Sequence, residues 1–147
     1  LPILPFVESR YRIQRRRESR AVAGLSMGGG HALRVGFDRP ALFRHVAVFS
    51  SGIFGPNGLP DENRKALANF QHQHRGSLAA TGSRRRFPEF WFATGKRDFL
   101  LEVTRSTVGF LREHGFATTY HETEGGHTWD RWREYLHQYL PLLFQGS

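Results

Sequence analysis

The sequence predicts an α/β fold built from parallel strands and intervening helices, and two features support this prediction. Short runs of small or apolar residues, such as 21–25 and 90–95, lack polar alternation, as strands buried on both faces of a parallel sheet do. Segments in which apolar residues recur at helical spacing separate or follow these runs. Alternating strands and helices form parallel sheets with right-handed crossovers and helices on the sheet faces.

The predicted elements follow one another in chain order. Strands are expected at 21–25, 45–52, 90–95 and 117–122, and helices at 1–11, 26–37, 99–114 and 128–144. The 99–114 helix has one apolar stripe, formed by Leu100, Val103, Thr107, Phe110 and Leu111. The first helix is expected to lie on a core through Ile3, Phe6 and Val7. The closing helix is expected to bury Trp129, Trp132, Leu136, Tyr139, Leu140 and Leu143.

Residues 53–89 interrupt this alternation, and no strand stands out among them. The segment either covers a site at the carboxyl end of the sheet or is a plain surface loop with a helix at about 61–73. In the first case His72 or His74 could touch a substrate. An aromatic or short acyl group could then be received by Phe54, Phe70 and Phe87 beside Arg84, Arg85 and Arg86.

Composition narrows the classes of function. The 147 residues can bury one core, so a single domain, or part of one, is expected over 1–147. The formal charge of +8 comes almost entirely from arginine, which a biased genome composition explains as readily as phosphate binding does. No nucleic-acid partner is therefore predicted. The Arg-rich stretch 12–20 is interpreted as a solvated loop.

Missing residue types and patterns exclude further classes. Without cysteine the chain has no disulfide, thiol nucleophile or thiolate metal site, and no cluster of histidine and carboxylate residues has metal-ligand spacing. No apolar run reaches the roughly 18 residues of a membrane span, so no membrane partner is predicted. The chain begins at Leu1, as a fragment or processed product would, and its compartment, cytoplasmic or secreted, stays open.

One motif indicates nucleophilic catalysis. Gly24-Leu25-Ser26-Met27-Gly28 fits the pattern G-x-S-x-G and lies between a predicted buried strand and a predicted helix, which is the context of a nucleophile elbow. The sharp turn is expected to strain the backbone of Ser26, with Gly24 and Gly28 present because side chains there would collide with the neighbouring turn. The N–H of Met27 is expected to face the oxyanion of a tetrahedral intermediate.

A serine nucleophile needs an acid and a base later in the chain. Asp98 follows the strand 90–95 across a short turn, and His127 follows the strand 117–122 through Glu-Gly-Gly. Both are therefore expected at the edge of the sheet where Ser26 lies. Among the eight histidines, only His127 combines a loop position with a strand end. For the acid, Glu122, Glu124 and Asp130 remain as alternatives to Asp98.

Three segments, RAVAGLSMGGGHAL, ATGKRDFLLE and EGGHTWDRWREYLHQYLPLLF, carry a family resemblance. They resemble the putative-esterase family of α/β hydrolases, which includes feruloyl, acetylxylan, tributyrin-type and enterochelin esterases and S-formylglutathione hydrolases. The resemblance implies Ser26 as nucleophile, Asp98 as acid, His127 as base and no cofactor. It also implies that the chain is the C-terminal part of a doubly wound sheet. Family members have further strands before the segment that corresponds to the helix at 1–11, and a loop among those strands supplies a second oxyanion-hole donor.

The sequence thus predicts a serine carboxylic-ester hydrolase that forms an acyl-enzyme, acting on feruloyl, acetyl or other short acyl esters. The alternative is a catalytically impaired half-domain that binds an anionic partner through its Arg-rich loops. If earlier strands are missing, the strand around 20–25 has an unpaired apolar edge, and such edges pair with another chain. We therefore expect a homo-oligomer or a part of a longer polypeptide.

Overall fold

A computed structural model describes residues 3–79 and 86–145 and contains the predicted alternation of strands and helices. The strands are β1 (Ala21–Leu25), β2 (His45–Phe49), β3 (Glu89–Gly95) and β4 (Thr118–Thr123). The helices are α1 (Ile3–Arg10), α2 (Met27–Asp38), α3 (Pro60–Gln73), α4 (Arg75–Ala79), α5 (Leu101–Glu113) and α6 (Trp129–Tyr139). Short 3₁₀ segments lie at Arg17–Ser19 and Leu140–Leu142. The α/β fold class is therefore confirmed.

The strands form one parallel sheet in the order β1-β2-β3-β4. Leu25 pairs with Phe49 at the carboxyl end of β1, and Phe49 pairs in turn with Ala93 of β3. Gly95, at the end of β3, pairs with Thr123 of β4. Because all strands run the same way, the loops that follow them meet at one edge of the sheet.

Two apolar clusters cover the two faces of this sheet, and successive residues of the central strands alternate between them. On one face, Val46, Val48, Phe90 and Phe92 pack with residues of α2, α3 and α5. On the other face, Ala47, Phe49, Trp91 and Ala93 pack with Trp132, Tyr135 and Tyr139 of α6. The central strands are thus buried on both sides, as their unbroken apolar sequences predict.

Strand β1 departs from the prediction that it is buried on both faces. Ala23 is exposed and the other residues of β1 are half-buried, because β1 lies at the edge of the described sheet and pairs with β2. Val22 packs against one cluster and Leu25 against the other, so both faces of the strand still contribute to the core. Association through this edge stays a prediction.

Two helices bury fewer predicted residues than expected. In α1, Ile3 and Phe6 are 60% and 52% exposed, so the expectation that they lie on a core is wrong. In α6, Trp132 and Tyr139 are buried as predicted and Leu143, beyond the helix, is half-buried against the second cluster. The predicted burial of Trp129, Leu136 and Leu140 is wrong, because these three are exposed. Trp129 and Leu136 lie on a neighbouring stripe of the helix and Leu140 lies beyond its end, while Tyr135 belongs to the buried stripe instead.

The segment between β2 and β3 contains α3, close to the predicted bounds of 61–73, and the short α4. The first cluster buries Phe70 and Leu78 from these helices and Phe87 after them. Phe70 and Phe87 are therefore core residues and not part of a binding site for the acyl group. Arg84 and Arg85 lie outside the described residues. Among the described helices, none is long and apolar enough to cross a membrane.

An ion-pair cluster joins β4 to α5. Arg105 donates to both carboxylate oxygens of Glu122, at 2.7 and 2.8 Å, and the Tyr120 hydroxyl donates to Glu122 at 2.8 Å. The hydrogen bonds from Arg105, and next those from Tyr120, lower the pKa of Glu122 from 4.5 to about 2. Because the folded pKa is depressed, the stabilisation is complete above about pH 4.5 and is lost as the pH falls through about 2.

We predict that Glu122→Gln lowers the free energy of unfolding at pH 7 by about 1 kcal/mol or less, as partly exposed ion pairs do. The difference from wild type should shrink as the pH falls from 4.5 towards 2. Urea unfolding across this range measures it. Glu124→Gln is the comparison and should show a smaller difference, since Glu124 is exposed and its pKa is lowered chiefly by the hydrogen bond from Lys96. A difference that does not change with pH would contradict the prediction.

Candidate active site

Ser26 occupies a sharp turn between β1 and α2. Its backbone has φ 51° and ψ −127°, a conformation that non-glycine residues rarely adopt. The Ser26 N–H donates to the carbonyl of Phe49 at 2.9 Å, which ties the turn to the end of β2. The Ser26 carbonyl accepts from Gly29 at 3.0 Å and so begins α2. The strain at Ser26 is thus maintained by hydrogen bonds on both sides of the residue.

The turn brings β1 against the first turn of α2. A Cβ on Gly24 would overlap the carbonyl of Gly28 and lie 2.7 Å from the nitrogen of Gly29, so the collision predicted for Gly24 is present. The collision predicted for Gly28 is wrong, because a Cβ there would meet nothing within 4 Å. Gly29 has that role instead, since its Cβ would lie 2.6 Å from the Cβ of Ser51.

A second close approach fixes the loops after β3 and β4. A Cβ on Gly95 would lie 2.7 Å from the carbonyl carbon of Gly125, which itself has φ 108°. Two backbone hydrogen bonds join the loops: Lys96 donates to Thr123 at 2.8 Å and Arg97 donates to Gly125 at 2.9 Å. The loops that carry Asp98 and His127 are therefore held against each other by their backbones.

The side chains of Ser26, His127 and Asp98, which the sequence predicts to act together, form a continuous hydrogen-bonded array. His127 Nε2 lies 3.0 Å from Ser26 Oγ, and Nδ1 lies 3.0 Å from both carboxylate oxygens of Asp98. Asp98 also accepts from the N–H of Leu100 at 2.9 Å, and its side chain has no exposed surface. Because a carboxylate only accepts, Nδ1 carries the proton and Nε2 is free to accept from the serine hydroxyl.

The alternative acids make other contacts in the described residues. Glu122 binds Arg105 and Tyr120, Glu124 pairs with Lys96 at 2.7 Å, and Asp130 pairs with Arg131 at 2.8 Å. Each of these contacts is with a residue other than His127, whereas both oxygens of Asp98 reach its ring. The geometry therefore favours Asp98 among the four carboxylates that the sequence offers.

Aromatic rings surround His127, and sequence reasoning assigned them no place in the site. The ring of Phe99 lies 4.5 Å from the imidazole, and Trp132 meets it at 4.9 Å in an edge-to-face arrangement. Trp132 Nε1 donates to Oγ of Ser50 at 3.0 Å, and Ser50, at the end of β2, has a positive φ of 50°. A polar residue following a buried strand could have indicated Ser50, but no sequence spacing brings it to Trp132.

A cavity of about 350 Å³ begins at Met27, the residue after Ser26. Met27, the first residue of α2, lines it with Phe54 and the backbone of the segment that follows β2. As the first helical residue, Met27 has an N–H without an intrahelical acceptor. The prediction that His74 touches substrate is wrong: it is buried against Phe70, with ring centroids 4.3 Å apart, and His72 is absent from the cavity wall.

Among the described residues, no group of three histidine or carboxylate side chains is placed to hold a metal ion. The arrangement instead combines a serine on a strained turn, an imidazole within hydrogen-bond distance and a buried carboxylate behind the imidazole.

Comparisons with known proteins agree with this architecture. The family model described as "Putative esterase" matches residues 2–143. The chain belongs to this esterase family. An acetyl esterase from Caldicellulosiruptor saccharolyticus is 32% identical over 153 residues, an alignment that covers 91% of this chain and 58% of the relative.

Solved structures share the fold. A ferulic acid esterase is 26% identical with a TM-score of 0.76, and the match covers 95% of this chain and 56% of that one. An S-formylglutathione hydrolase from Staphylococcus aureus has a TM-score of 0.79 at 14% identity, covering 98% and 61% of the two chains. The chain thus spans little more than half the length of these three relatives.

The two glycines of the turn allow a matched test of the close approach. We predict that Gly24→Ala destabilises the protein by about 3 kcal/mol or more, because the methyl group would overlap the backbone of α2. Gly28→Ala should be neutral or stabilising by up to about 1 kcal/mol, since the site is open and alanine favours the helix. Urea unfolding followed by tryptophan fluorescence measures both. Equal losses would show that the close approach does not set the requirement.

The two tryptophans of α6 provide a second matched pair. Trp132→Phe should lower the free energy of unfolding by about 1–3 kcal/mol, because the buried Ser50 hydroxyl would lose its donor. Trp129→Phe should change it by about 0.5 kcal/mol or less, since Trp129 is 70% exposed. Thermal or urea unfolding distinguishes them. A larger loss at Trp129 would contradict the assigned hydrogen bond.

Proposed function

We propose that this chain provides the nucleophile, base and acid of a serine carboxylic-ester hydrolase that works through an acyl-enzyme. The observation that carries the proposal is the hydrogen-bonded array of the three side chains. His127 Nε2 lies 3.0 Å from Ser26 Oγ, and His127 Nδ1 lies 3.0 Å from the Asp98 carboxylate. The strained turn at Ser26 adds support, because strain of this kind is concentrated at functional sites. Membership of an esterase family supports the class of bond that is broken.

In the proposed reaction, Ser26 Oγ attacks the carbonyl carbon of the ester while His127 Nε2 takes the hydroxyl proton. Asp98 holds the imidazole in the required tautomer and stabilises the imidazolium that forms. The oxygen of the tetrahedral intermediate is stabilised by the N–H of Met27 at the N-terminus of α2. The intermediate then expels the alcohol, which receives its proton from His127. Water deprotonated by the same nitrogen hydrolyses the acyl-enzyme and releases the acid.

For the substrate we propose acetyl, feruloyl or other short acyl esters. The 32% identity to an acetyl esterase and the 26% identity to a ferulic acid esterase support this range. The exposed apolar side chains of Met27, Phe99 and Trp129 around the array suit an ester with an apolar part.

The alternative, a half-domain that binds an anionic partner through its Arg-rich loop, has less support. Arg17 donates to the carbonyls of Pro40 at 2.8 Å and Phe87 at 2.9 Å, and Arg20 pairs with Glu8 at 2.5 Å. These arginines of the 12–20 segment are committed to internal contacts that position the segment against the body of the domain.

The central prediction concerns Ser26 and His127. Ser26→Ala and His127→Ala should each lower kcat/KM for 4-nitrophenyl acetate by roughly four powers of ten or more, and the double variant should be little worse, because such residues act as a unit. Spectrophotometric release of 4-nitrophenol measures this, and a fluorophosphonate probe should label Ser26.

Asp98→Asn and Glu124→Gln form the control pair for that experiment. The first should lose most of the activity with its fold intact, and the second should retain it. Additive losses at Ser26 and His127 would contradict the proposed unit. The absence of labelling at any pH between 6 and 9 would favour the binding alternative.

A further inference from the structure

One face of α2 forms the wall of a trough that begins beside Ser26. Met27, Gly30 and Arg34 lie on this face at helical spacing, and the segment Gly52–Pro56 lies opposite. A Cβ on Gly30 would approach the carbonyl oxygen of Gly52 to 3.3 Å and the Phe54 ring to 3.5 Å. The absence of a side chain at Gly30 therefore widens the trough between the nucleophile and Arg34.

The trough continues past Arg34. A second cavity, of about 330 Å³, shares Arg34, Phe54, Gly55 and Pro56 with the first and extends to Lys65 on α3. The two cavities thus have a wall in common and are together called the channel, and Arg34 lines both of them.

The charges along the channel favour an anion. Arg34 makes no ion pair within the described residues, so its guanidinium is available to a ligand. Glu62 also lines the channel, but both of its oxygens accept hydrogen bonds of 2.9 Å from Asn57. With two cations against one carboxylate the lining has a net positive charge, and a carboxylate ligand matches the paired N–H donors that the Arg34 guanidinium offers.

Helix geometry sets the length of a ligand that reaches Arg34. Met27 and Arg34 are seven positions apart on α2, which corresponds to about 10 Å along the helix axis. The arginine side chain spans part of this distance, so a group that is bonded to Ser26 at one end needs an apolar body of up to about this length to place a carboxylate on Arg34.

We propose, resting on the function proposed above, that the channel binds esters whose acyl group has an apolar body of this length and ends in a carboxylate. Arg34 forms the charged hydrogen bonds to that carboxylate, in the paired geometry that guanidinium groups offer. Phe54 and Pro56 contact the apolar body.

The test measures binding by a variant that cannot turn over the ester. The Ser26→Ala variant is titrated calorimetrically with 4-nitrophenyl hydrogen suberate, which is the long carboxylate, and with its neutral methyl ester. The shorter 4-nitrophenyl hydrogen succinate and its methyl ester are titrated in the same way. The long carboxylate should bind about tenfold more tightly than the neutral ester, a typical effect of one charged hydrogen-bonding partner. The succinate, whose apolar body is much shorter, should show a smaller advantage over its own methyl-capped form.

Arg34→Gln in the same background should abolish the advantage of the long carboxylate, and Arg34→Lys should retain part of it. Arg39→Gln is the matched control, because this substitution removes the same charge. Arg39 directly follows the same helix, is exposed and lies outside both cavities. Equal binding of charged and neutral esters, or an equal loss in the Arg39 variant, would overturn the proposal.

This measurement also distinguishes the two proposals. Binding selectivity that depends on Arg34 in a chain that hydrolyses no ester and takes no fluorophosphonate label would support the channel and contradict the catalytic function. Hydrolysis that depends on Ser26 without any preference for the long carboxylate would do the reverse. Unfolding curves for each variant show whether a loss reflects the fold rather than the channel.

Discussion

The close approach of β1 and α2 at Gly24 is the constraint on which the site depends. With no side chain at Gly24, the strand end meets the first turn of the helix backbone to backbone. The chain can then reverse over a single residue, Ser26, whose positive φ directs the turn and whose N–H is anchored to Phe49 of β2. A looser turn would remove the reason for the strain, and Ser26 Oγ would no longer be fixed relative to His127.

A second close approach of two backbones occurs at Gly95 and Gly125, where the loops after β3 and β4 contact each other. Asp98 and His127 are far from Ser26 in the sequence, yet the parallel sheet delivers all three loops to one edge. The separation between the imidazole and its two partners is therefore set by backbone contacts at both ends. Side-chain packing adjusts the array but does not create it.

Much of this could be predicted from the sequence, because local signals determine it. The apolar runs identify the strands, and the strand-to-helix context of Ser26 indicates the turn. The roles of Gly28 and Gly29 were not predictable, since the collision depends on Ser51 of the next loop. The same holds for the buried stripe of α6: Trp129 and Trp132 are equally apolar, and only the position of the helix over β2 and β3 selects Trp132.

Trp132 joins the stability of the fold to the geometry of the site. Its ring belongs to the cluster that packs α6 on the sheet, its Nε1 donates to the Ser50 hydroxyl, and it lies edge-to-face with the His127 ring. A shift of α6 would therefore move the aromatic ring beside the imidazole of His127 and the end of β2 together. Because Phe49 of β2 accepts the hydrogen bond from Ser26, the same shift would reach Ser26 through the sheet. The alignment of Ser26 with His127 thus depends on how α6 packs on this face of the sheet.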